Sequence, residues 1–275
     1  MNLEFYYCQK GRDVLSNQKH FHDGDIEIIQ FVSGKGTLII GDKINRFVPG
    51  DTYIFDGSTL HCVVPEKEEE YVRNKLILDK NSIMQIMEES IEFKNTFFAA
   101  NSESAKNLRL LFRRANNEIT QNNNAKMILL SEAMKILHYC LKTSGQELED
   151  YGGTISETVR YINANLSSPL TIDSIAEQMH ISKYYVCHRF KEETGMTIHA
   201  YIRSSRISLA QKLLSDFDRR ISDIAATCGF DDITRFSKTF KAETGMTPSE
   251  YRKSLSNHGA PLIMGVKNRT YKSSK

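Results

Sequence analysis

Several features that are common in secreted and membrane proteins are missing from this sequence of 275 residues. No apolar run approaches the ~20 residues that a membrane-spanning helix needs. The segment from Met1 to Tyr6 lacks the pattern of a signal peptide. The five cysteines are odd in number and irregularly spaced, so we expect reduced thiols in a cytoplasmic protein rather than a disulfide framework.

Sequence motifs of common enzyme classes are missing as well. We find no serine nucleophile elbow, no phosphate-binding loop and no paired carboxylates in a recognisable frame, and we therefore predict that the protein is not an enzyme. The net charge is only +2, but it is spread unevenly. Residues 1–153 hold 18 basic and 22 acidic side chains, whereas residues 154–275 hold 18 basic and 12 acidic ones. The C-terminal part is therefore the more basic one, which suits contact with an anionic partner.

One pattern occurs twice in the C-terminal part. The first copy ends in HRFKEETGMT at 188–197, and the second ends in KTFKAETGMT at 238–247. Upstream, IDSIA at 172–176 corresponds to ISDIA at 221–225. A repeat of about fifty residues indicates one supersecondary unit that is used twice.

Each copy predicts two short helices joined by a tight turn. In the first copy Ser182 is the predicted N-cap of the second helix and Gly195 its C-cap; in the second copy Gly229 forms the turn and Gly245 ends the helix. This layout is typical of a helix-turn-helix unit, whose second helix enters the major groove. A helix over about 199–214 joins the units. Its length of roughly 24 Å suits two units that bind adjacent grooves.

The outward faces of the two second helices are the predicted DNA-reading surfaces. Val186 and Phe190 in the first unit, and Phe236 and Phe240 in the second, are expected to face the core. The alternative is that the outward faces are merely solvated, which the presence of two copies on one chain disfavours. The predicted base contacts are Lys183, Tyr184, Cys187, His188, Ile233, Thr234, Ser237 and Lys238, and the predicted phosphate contacts are Lys191 and Lys241.

Residues 154–254 resemble the DNA-binding domain of the AraC/XylS family of bacterial transcription factors. The residues that carry the resemblance are Ile175-Ala176, Ser182, Phe190-Lys191, Thr194-Gly195, Ile224-Ala225, Gly229-Phe230, Phe236, Phe240-Lys241, Thr244 to Pro248 and Tyr251-Arg252. The resemblance implies promoter DNA and RNA polymerase as partners. The chain departs from the family pattern at Arg235, where an aromatic residue is usual, and at Cys187 and His188, where arginine or glutamine is usual. The target sequence therefore cannot be carried over.

The N-terminal part has a β-type pattern from Leu3 to about Pro65. Short strands alternate with turn signals at intervals of eight to twelve residues, as is typical of a sandwich or barrel. The spacing of histidines and a glutamate here resembles the metal-binding pattern of cupin barrels, although Phe55 stands where a proline is usual. In the AraC/XylS family the same pocket usually receives a small effector, commonly a sugar.

We therefore expect an organic effector in the barrel and no bound cofactor. A divalent metal such as zinc, iron, manganese or nickel is one alternative, and a purely structural role is the other. The predicted effector-binding residues are His20, His22, Glu27, Phe31 and His61, and the alternative metal ligands are His20, His22, Glu27 and His61.

Two amphipathic helices are predicted at 105–120 and 126–141. They either simply cover the barrel or form an antiparallel dimer contact, and the family resemblance favours the dimer. The predicted dimer interface consists of Leu130, Met134, Leu137 and Leu141.

The predicted fold class is α+β with two domains. Residues 1–80 are the cupin-like effector-binding β-barrel, and 81–142 are helices that cover the barrel and dimerise. Residues 143–153 are a linker, 154–255 an all-α double helix-turn-helix domain, and 256–275 an irregular tail.

The predicted function is sequence-specific transcriptional regulation, as a cytoplasmic homodimer that activates under control of a sugar or similar metabolite. One alternative is a metal-dependent cupin enzyme, such as a dioxygenase or sugar isomerase, with an accessory helical domain. Another is a constitutive DNA-binding protein with a vestigial barrel.

Overall fold

The computed structural model describes residues 2–11, 25–57, 59, 61–66, 70–87, 94–121, 125–148, 150, 153–256 and 263–266. A β-rich N-terminal domain with flanking helices precedes a helical C-terminal domain, so the predicted class is confirmed. Within these residues, no helix is both long and apolar enough to cross a lipid bilayer.

The strands of the N-terminal domain form two sheets. In chain order they are β1 (Asn2–Gly11), β2 (Asp25–Ser33), β3 (Gly36–Ile40), β4 (Lys43–Phe47), β5 (Thr52–Asp56), β6 (His61–Pro65), β7 (Tyr71–Asp79), β8 (Thr96–Phe98), β9 (Gln146–Glu147) and β10 (Ile263–Val266). The larger sheet has the order β10-β1-β7-β2-β5-β8-β9, and the smaller has the order β4-β3-β6. The prediction expected one barrel, whereas the described strands form two separately paired sheets.

Side chains of β2 alternate between two environments, as the period of a strand requires. Ile26 and Ile28 pack against the helices, whereas Ile29 and Phe31 face the interior between the two sheets. The helices of this domain are α1 (Lys80–Met87), α2 (Glu103–Gln121) and α3 (Ala125–Lys142), so the two predicted amphipathic helices are confirmed.

The predicted linker at 143–153 is anchored to the N-terminal domain. Gln146 and Glu147 pair with β8, and Leu148 is buried in the interior cluster. The ammonium of Lys43 donates to the carbonyl oxygen of Leu148 at 2.9 Å. The apolar side chain of Leu148 explains why this otherwise polar segment is held against the sheets.

The C-terminal domain consists of α4 (Thr154–Ala164), α5 (Ile172–Gln178), α6 (Lys183–Thr194), α7 (Ile198–Leu213), α8 (Ile221–Thr227), α9 (Ile233–Thr244) and α10 (Pro248–Ser256). Helix α7 contributes to two cores. Tyr201 and Ile202 pack into the first, around Val186 and Phe190, and Ile207 packs into the second, around Phe236 and Phe240. The repeat therefore forms two helix-turn-helix units on one connecting helix, as predicted.

The end of the chain departs from the irregular tail that the sequence suggested. Residues Ile263–Val266 form β10, which pairs in parallel with Asn2 to Phe5 of β1. Residues Ile263–Val266 therefore lie at one edge of the larger sheet.

Candidate DNA-reading surfaces and effector pocket

Capping residues fix where the two reading helices begin and end. The hydroxyl of Ser182 accepts from the backbone N–H of Tyr185 at 3.1 Å, and the carboxylate of Asp232 accepts from the N–H of Thr234 at 2.7 Å. Gly195 and Gly245 end the helices with φ angles of 67° and 79°. Left-handed backbone of this kind favours glycine. The predicted cap at Ser182 and both predicted terminal glycines are confirmed.

Helices α6 and α9 have the same pattern of exposure along their first eight residues. Tyr184 is 81% exposed, and its ring stacks on that of His188 with centroids 6.0 Å apart. Lys183 forms an ion pair with Asp173 of α5. The predicted contacts that are exposed are Lys183, Tyr184, His188, Lys191, Ile233, Thr234, Lys238 and Lys241, and those that are half-buried are Cys187 and Ser237. The faces proposed to contact DNA are thus accessible on both units.

The turns of the two units share one backbone conformation with different residues. Gly229 has a φ of 76° and His180, at the equivalent position, has a φ of 54°. A side chain at Gly229 has no room, because an added Cβ atom would lie 2.3 Å from the carbonyl oxygen of Leu166. His180 is exposed, so the first unit accommodates a side chain there.

Three charged or polar side chains meet in the interior between the two sheets. One carboxylate oxygen of Glu27 lies 2.9 Å from the ammonium of Lys75, and the other lies 3.1 Å from Nε2 of His61. Glu27 is fully buried, and His61 and Lys75 are at most 5% exposed. Burial lowers the pKa of Lys75, and the Glu27 carboxylate opposes that shift. We call these three residues the interior charge cluster.

Aromatic side chains surround the interior charge cluster. The ring of Phe55 lies 4.8 Å from that of His61, and Phe31 stacks on Phe47 with centroids 3.6 Å apart. Of the predicted effector-binding residues, the structure therefore brings Glu27 and His61 together and places Phe31 on the same interior side. The predicted residues His20 and His22 lie outside the described residues.

The described part of this site brings together two of the four alternative metal ligands, Glu27 and His61. Each carboxylate oxygen of Glu27 has one partner here, the Lys75 ammonium or Nε2 of His61. Within the residues described, no group of three histidine, cysteine, aspartate or glutamate side chains is arranged to hold a metal.

Two family models match the two domains. The model of an AraC-like ligand binding domain matches residues 5–137, and the model of a helix-turn-helix domain matches residues 175–254. The chain belongs to the AraC family of transcriptional regulators. It is a DNA-binding regulator under the control of a ligand.

Relatives match most of this AraC-family regulator. The HTH-type transcriptional activator RhaR of Pectobacterium atrosepticum is 26% identical over 248 residues, which cover 86% of this chain and 87% of that protein. The activator of the same name from Shigella dysenteriae is 27% identical over 248 residues, which cover 85% and 86%. A crystal structure of an AraC-type regulator from Chromobacterium violaceum aligns with 39% of this chain and 96% of its own, at 29% identity and a TM-score of 0.37.

Sequence reasoning about this AraC-family regulator missed Lys75. The sequence contains one indication of its role: Lys75 occupies the same face of β7 as the apolar residue Ile77, and both side chains are buried. Tyr6 was missed as well. Burial raises its pKa, as does its hydrogen bond to Glu4, and Glu27 adds a smaller effect in the same direction. Tyr6 is the register partner of Lys75 in the pairing of β1 with β7, so it lies next to the interior charge cluster.

The first helix-turn-helix unit of the regulator rests on the outer face of the smaller sheet. Ile39, Cys62 and Val64 belong to the same core cluster as Ile155 and Val159 of α4. The interface also contains an ion pair, in which Nε of Arg160 lies 2.9 Å from a carboxylate oxygen of Asp42. The two domains are therefore in direct contact at the sheet that carries His61.

The predicted dimer contact on α3 needs one correction. Leu137 is 1% exposed and packs in the domain core, so we remove it from the proposed interface. Leu130 and Met134 are partly buried against the same core. Leu141 is 38% exposed and Met127 is 65% exposed. The apolar residues of α3 that remain accessible continue the stripe of Leu137 on the flank that is turned away from Leu129 and Ala133.

Proposed function

We propose that this regulator contacts promoter DNA through the outward faces of α6 and α9 and binds a sugar or similar metabolite between its two sheets. The name of its relatives, transcriptional activator, supports activation through contact with RNA polymerase. Homodimerisation through the accessible side of α3 and a location in the cytoplasm complete the proposal. On this account the chain has no enzymatic activity and no cofactor.

The observation that carries the proposed effector site is the interior charge cluster. Burying charged side chains costs free energy, and apolar residues of similar size are often at least as stabilising. A polar cluster enclosed by Phe31, Phe55 and other apolar residues is therefore better explained by ligand recognition than by stability. Hydroxyl groups of a sugar can donate to Glu27 and accept from Lys75, which is the pairing that the cluster offers.

We further propose that the effector acts on DNA binding through strand β6. This strand carries His61 and Val63 on its inner face, and Cys62 and Val64 on the outer face that contacts the first helix-turn-helix unit. A ligand that displaces His61 moves a strand on which α4 rests. The effector would then shift the population of domain arrangements, provided that it binds one of them better.

A thermal-shift screen of sugars and other small metabolites tests this function, with metal analysis on the same sample. We expect at least one sugar-like compound to raise the melting temperature and to change the affinity for a promoter fragment. His61→Asn keeps a side-chain N–H that can donate to the carbonyl of Thr59, the present partner of Nδ1 at 2.9 Å, and removes the ring nitrogen that faces Glu27. It should lose the response, whereas Lys106→Met on the exposed surface of α2 should keep it.

Two results would contradict the proposal. If no metabolite shifts the melting temperature and DNA affinity is constant, the constitutive DNA-binding alternative is favoured. If the purified protein carries stoichiometric metal that depends on Glu27 and His61, the metal-dependent alternative is favoured.

A further inference from the structure

A cavity of about 210 Å³ lies between the two helix-turn-helix units, away from the interior charge cluster. Its walls come from the N-terminal half of α7, from the turn of the second unit and from one side of α9. The residues that give it its character are His199, Arg203, Arg206, Phe230, Asp231 and Arg235. Three guanidinium groups thus converge on one small space.

The three guanidinium groups differ in their hydrogen-bond and ion-pair partners. Nε of Arg203 lies 2.7 Å from a carboxylate oxygen of Glu243. Arg206 donates to two backbone carbonyls, from Nε to Leu166 at 2.9 Å and from Nη2 to Ser168 at 2.8 Å. Arg235 is exposed on α9, and within the described residues no carboxylate forms an ion pair with it.

The charges around the cavity do not balance. The cavity and its immediate surroundings contain three guanidinium groups and two carboxylates, those of Asp231 and Glu243. One positive charge is therefore not compensated. Arg206 is affected by this imbalance: burial lowers its pKa, Asp231 opposes that effect, and Arg235 adds to it. Because like charges face each other across an open space, an anion placed between them would relieve their repulsion.

We propose that this cavity binds one phosphate group, held mainly by Arg235 with the help of Arg203. A planar guanidinium matches two phosphate oxygens at once, and Thr239 in the same wall offers a hydroxyl. Arg235 directly follows Thr234, a residue of the DNA-reading face of α9. This position, which rests on the proposed docking of α9 on DNA, favours a phosphodiester of the bound duplex as the source. Free phosphate has the same chemistry.

The first test uses the full chain without DNA. Thermal unfolding is compared in sodium phosphate and in sodium chloride at equal pH and ionic strength, for the wild type, for Arg235→Gln and for a control, Arg220→Gln. The control removes one exposed positive charge of the same domain outside the cavity. We expect phosphate to raise the melting temperature of the wild type and of the control by more than that of Arg235→Gln, which keeps only the general stabilising effect of phosphate.

The second test measures affinity for a duplex of random sequence at several salt concentrations. Each phosphate neutralised contributes about 0.9 to the slope of log affinity against log salt. If the cavity binds a DNA phosphate, Arg235→Gln lowers this slope by about 0.9 relative to the wild type. Arg220 does not line the cavity, so Arg220→Gln should lower the slope by less.

The two tests together identify the source of the phosphate. A lower slope for Arg235→Gln assigns the cavity to DNA, whereas an unchanged slope with a reduced phosphate effect assigns it to the free ion. The proposal is overturned if Arg235→Gln retains both the wild-type phosphate effect and the wild-type slope. Neither measurement involves a sugar, so this failure is distinguishable from a failure of the proposed effector site.

Discussion

The guanidinium of Arg206 lies over the ring of Phe230, at 5.9 Å from the ring centroid, and donates at the same time to the carbonyl oxygens of Leu166 and Ser168. Leu166 and Ser168 follow the first helix of the C-terminal domain, and Phe230 follows the turn of the second unit. One side chain of the connecting helix therefore joins both units. We expect the separation of the two reading helices to depend on this contact as well as on the length of α7.

Arg206→Lys is expected to lower the free energy of unfolding by about 1–3 kcal/mol. A lysine ammonium cannot donate to the carbonyl oxygens of both Leu166 and Ser168 and at the same time stack on the ring of Phe230. The substitution keeps the charge, so a loss of DNA affinity at constant salt slope would report altered geometry. Urea unfolding and fluorescence anisotropy measure the two effects. Unchanged stability and affinity would show that Arg206 does not join the units.

The equivalent turn positions make a matched pair of substitutions. Gly229→Ala is expected to cost more than about 1 kcal/mol, because the new Cβ atom meets the Leu166 carbonyl and would also lie 2.8 Å from Cζ of Arg206. His180→Gly relieves a left-handed conformation of a non-glycine residue, so we expect a stability within about 1 kcal/mol of the wild type, on the stabilising side. Thermal unfolding of both variants decides this. Equal losses at the two positions would contradict the assignment of the clash.

The parts of the molecule that could be predicted from sequence are those with local causes. Ser182 and Gly195 set the ends of α6 through contacts within a few residues, and apolar spacing alone placed Val186 and Phe190 inward. The pairing of Lys75 with Glu27 could not be predicted, because it depends on the register of β2 with β7. The contact of Glu27 with His61 depends in addition on how the two sheets pack on each other.

Helix α3 shows a second limit of prediction. Its apolar residues offer two stripes at helical spacing, one with Leu130 and Leu141 and one with Leu129 and Ala133. Periodicity identifies both but does not say which one faces the core. The structure buries the second, together with Leu137, because that side meets α2 and the larger sheet.

The accessible side of α3 is the proposed dimer surface, and Leu141→Glu tests it. We expect the substitution to shift the protein toward monomer at micromolar concentration, because a charge replaces an exposed apolar side chain at the contact. Light scattering measures the mass. Asn117→Glu, which makes the same change of charge at an exposed position of α2, is the control. A wild type that is already monomeric would exclude the proposed interface.

Base and phosphate contacts are expected to respond differently to substitution. Lys238→Ala and His188→Ala should each weaken binding to the cognate site by about 1–3 kcal/mol and relax sequence preference. Lys241→Ala should weaken binding to all sequences alike and reduce the salt slope by about 1. Footprinting and salt titrations on a cognate and a random duplex distinguish them. If Lys238→Ala and His188→Ala leave the footprint unchanged, the proposed docking of both helices is incorrect.

The interior charge cluster predicts a non-additive pair of substitutions. Lys75→Met leaves the Glu27 carboxylate buried without its ammonium, and Glu27→Gln leaves the ammonium without its carboxylate. Each single change is expected to cost about 3–5 kcal/mol. The double variant removes both charges, so we expect it to be more stable than either single variant. Denaturant unfolding of the four proteins gives the coupling energy.

The same cluster predicts how stability depends on pH. Burial lowers the pKa of Lys75, so between that lowered value and the ordinary lysine pKa of about 10.4 the folded state binds fewer protons at this site than the unfolded chain. The unfolding free energy contributed by Lys75 therefore rises with pH across this window and is lost as pH falls through the lowered pKa. The double variant should lack this rise of the unfolding free energy with pH.

The double variant also tests the effector site. If it folds stably and responds to the effector as the wild type does, the two charges serve neither ligand recognition nor its coupling to DNA binding. The effector site must then lie elsewhere.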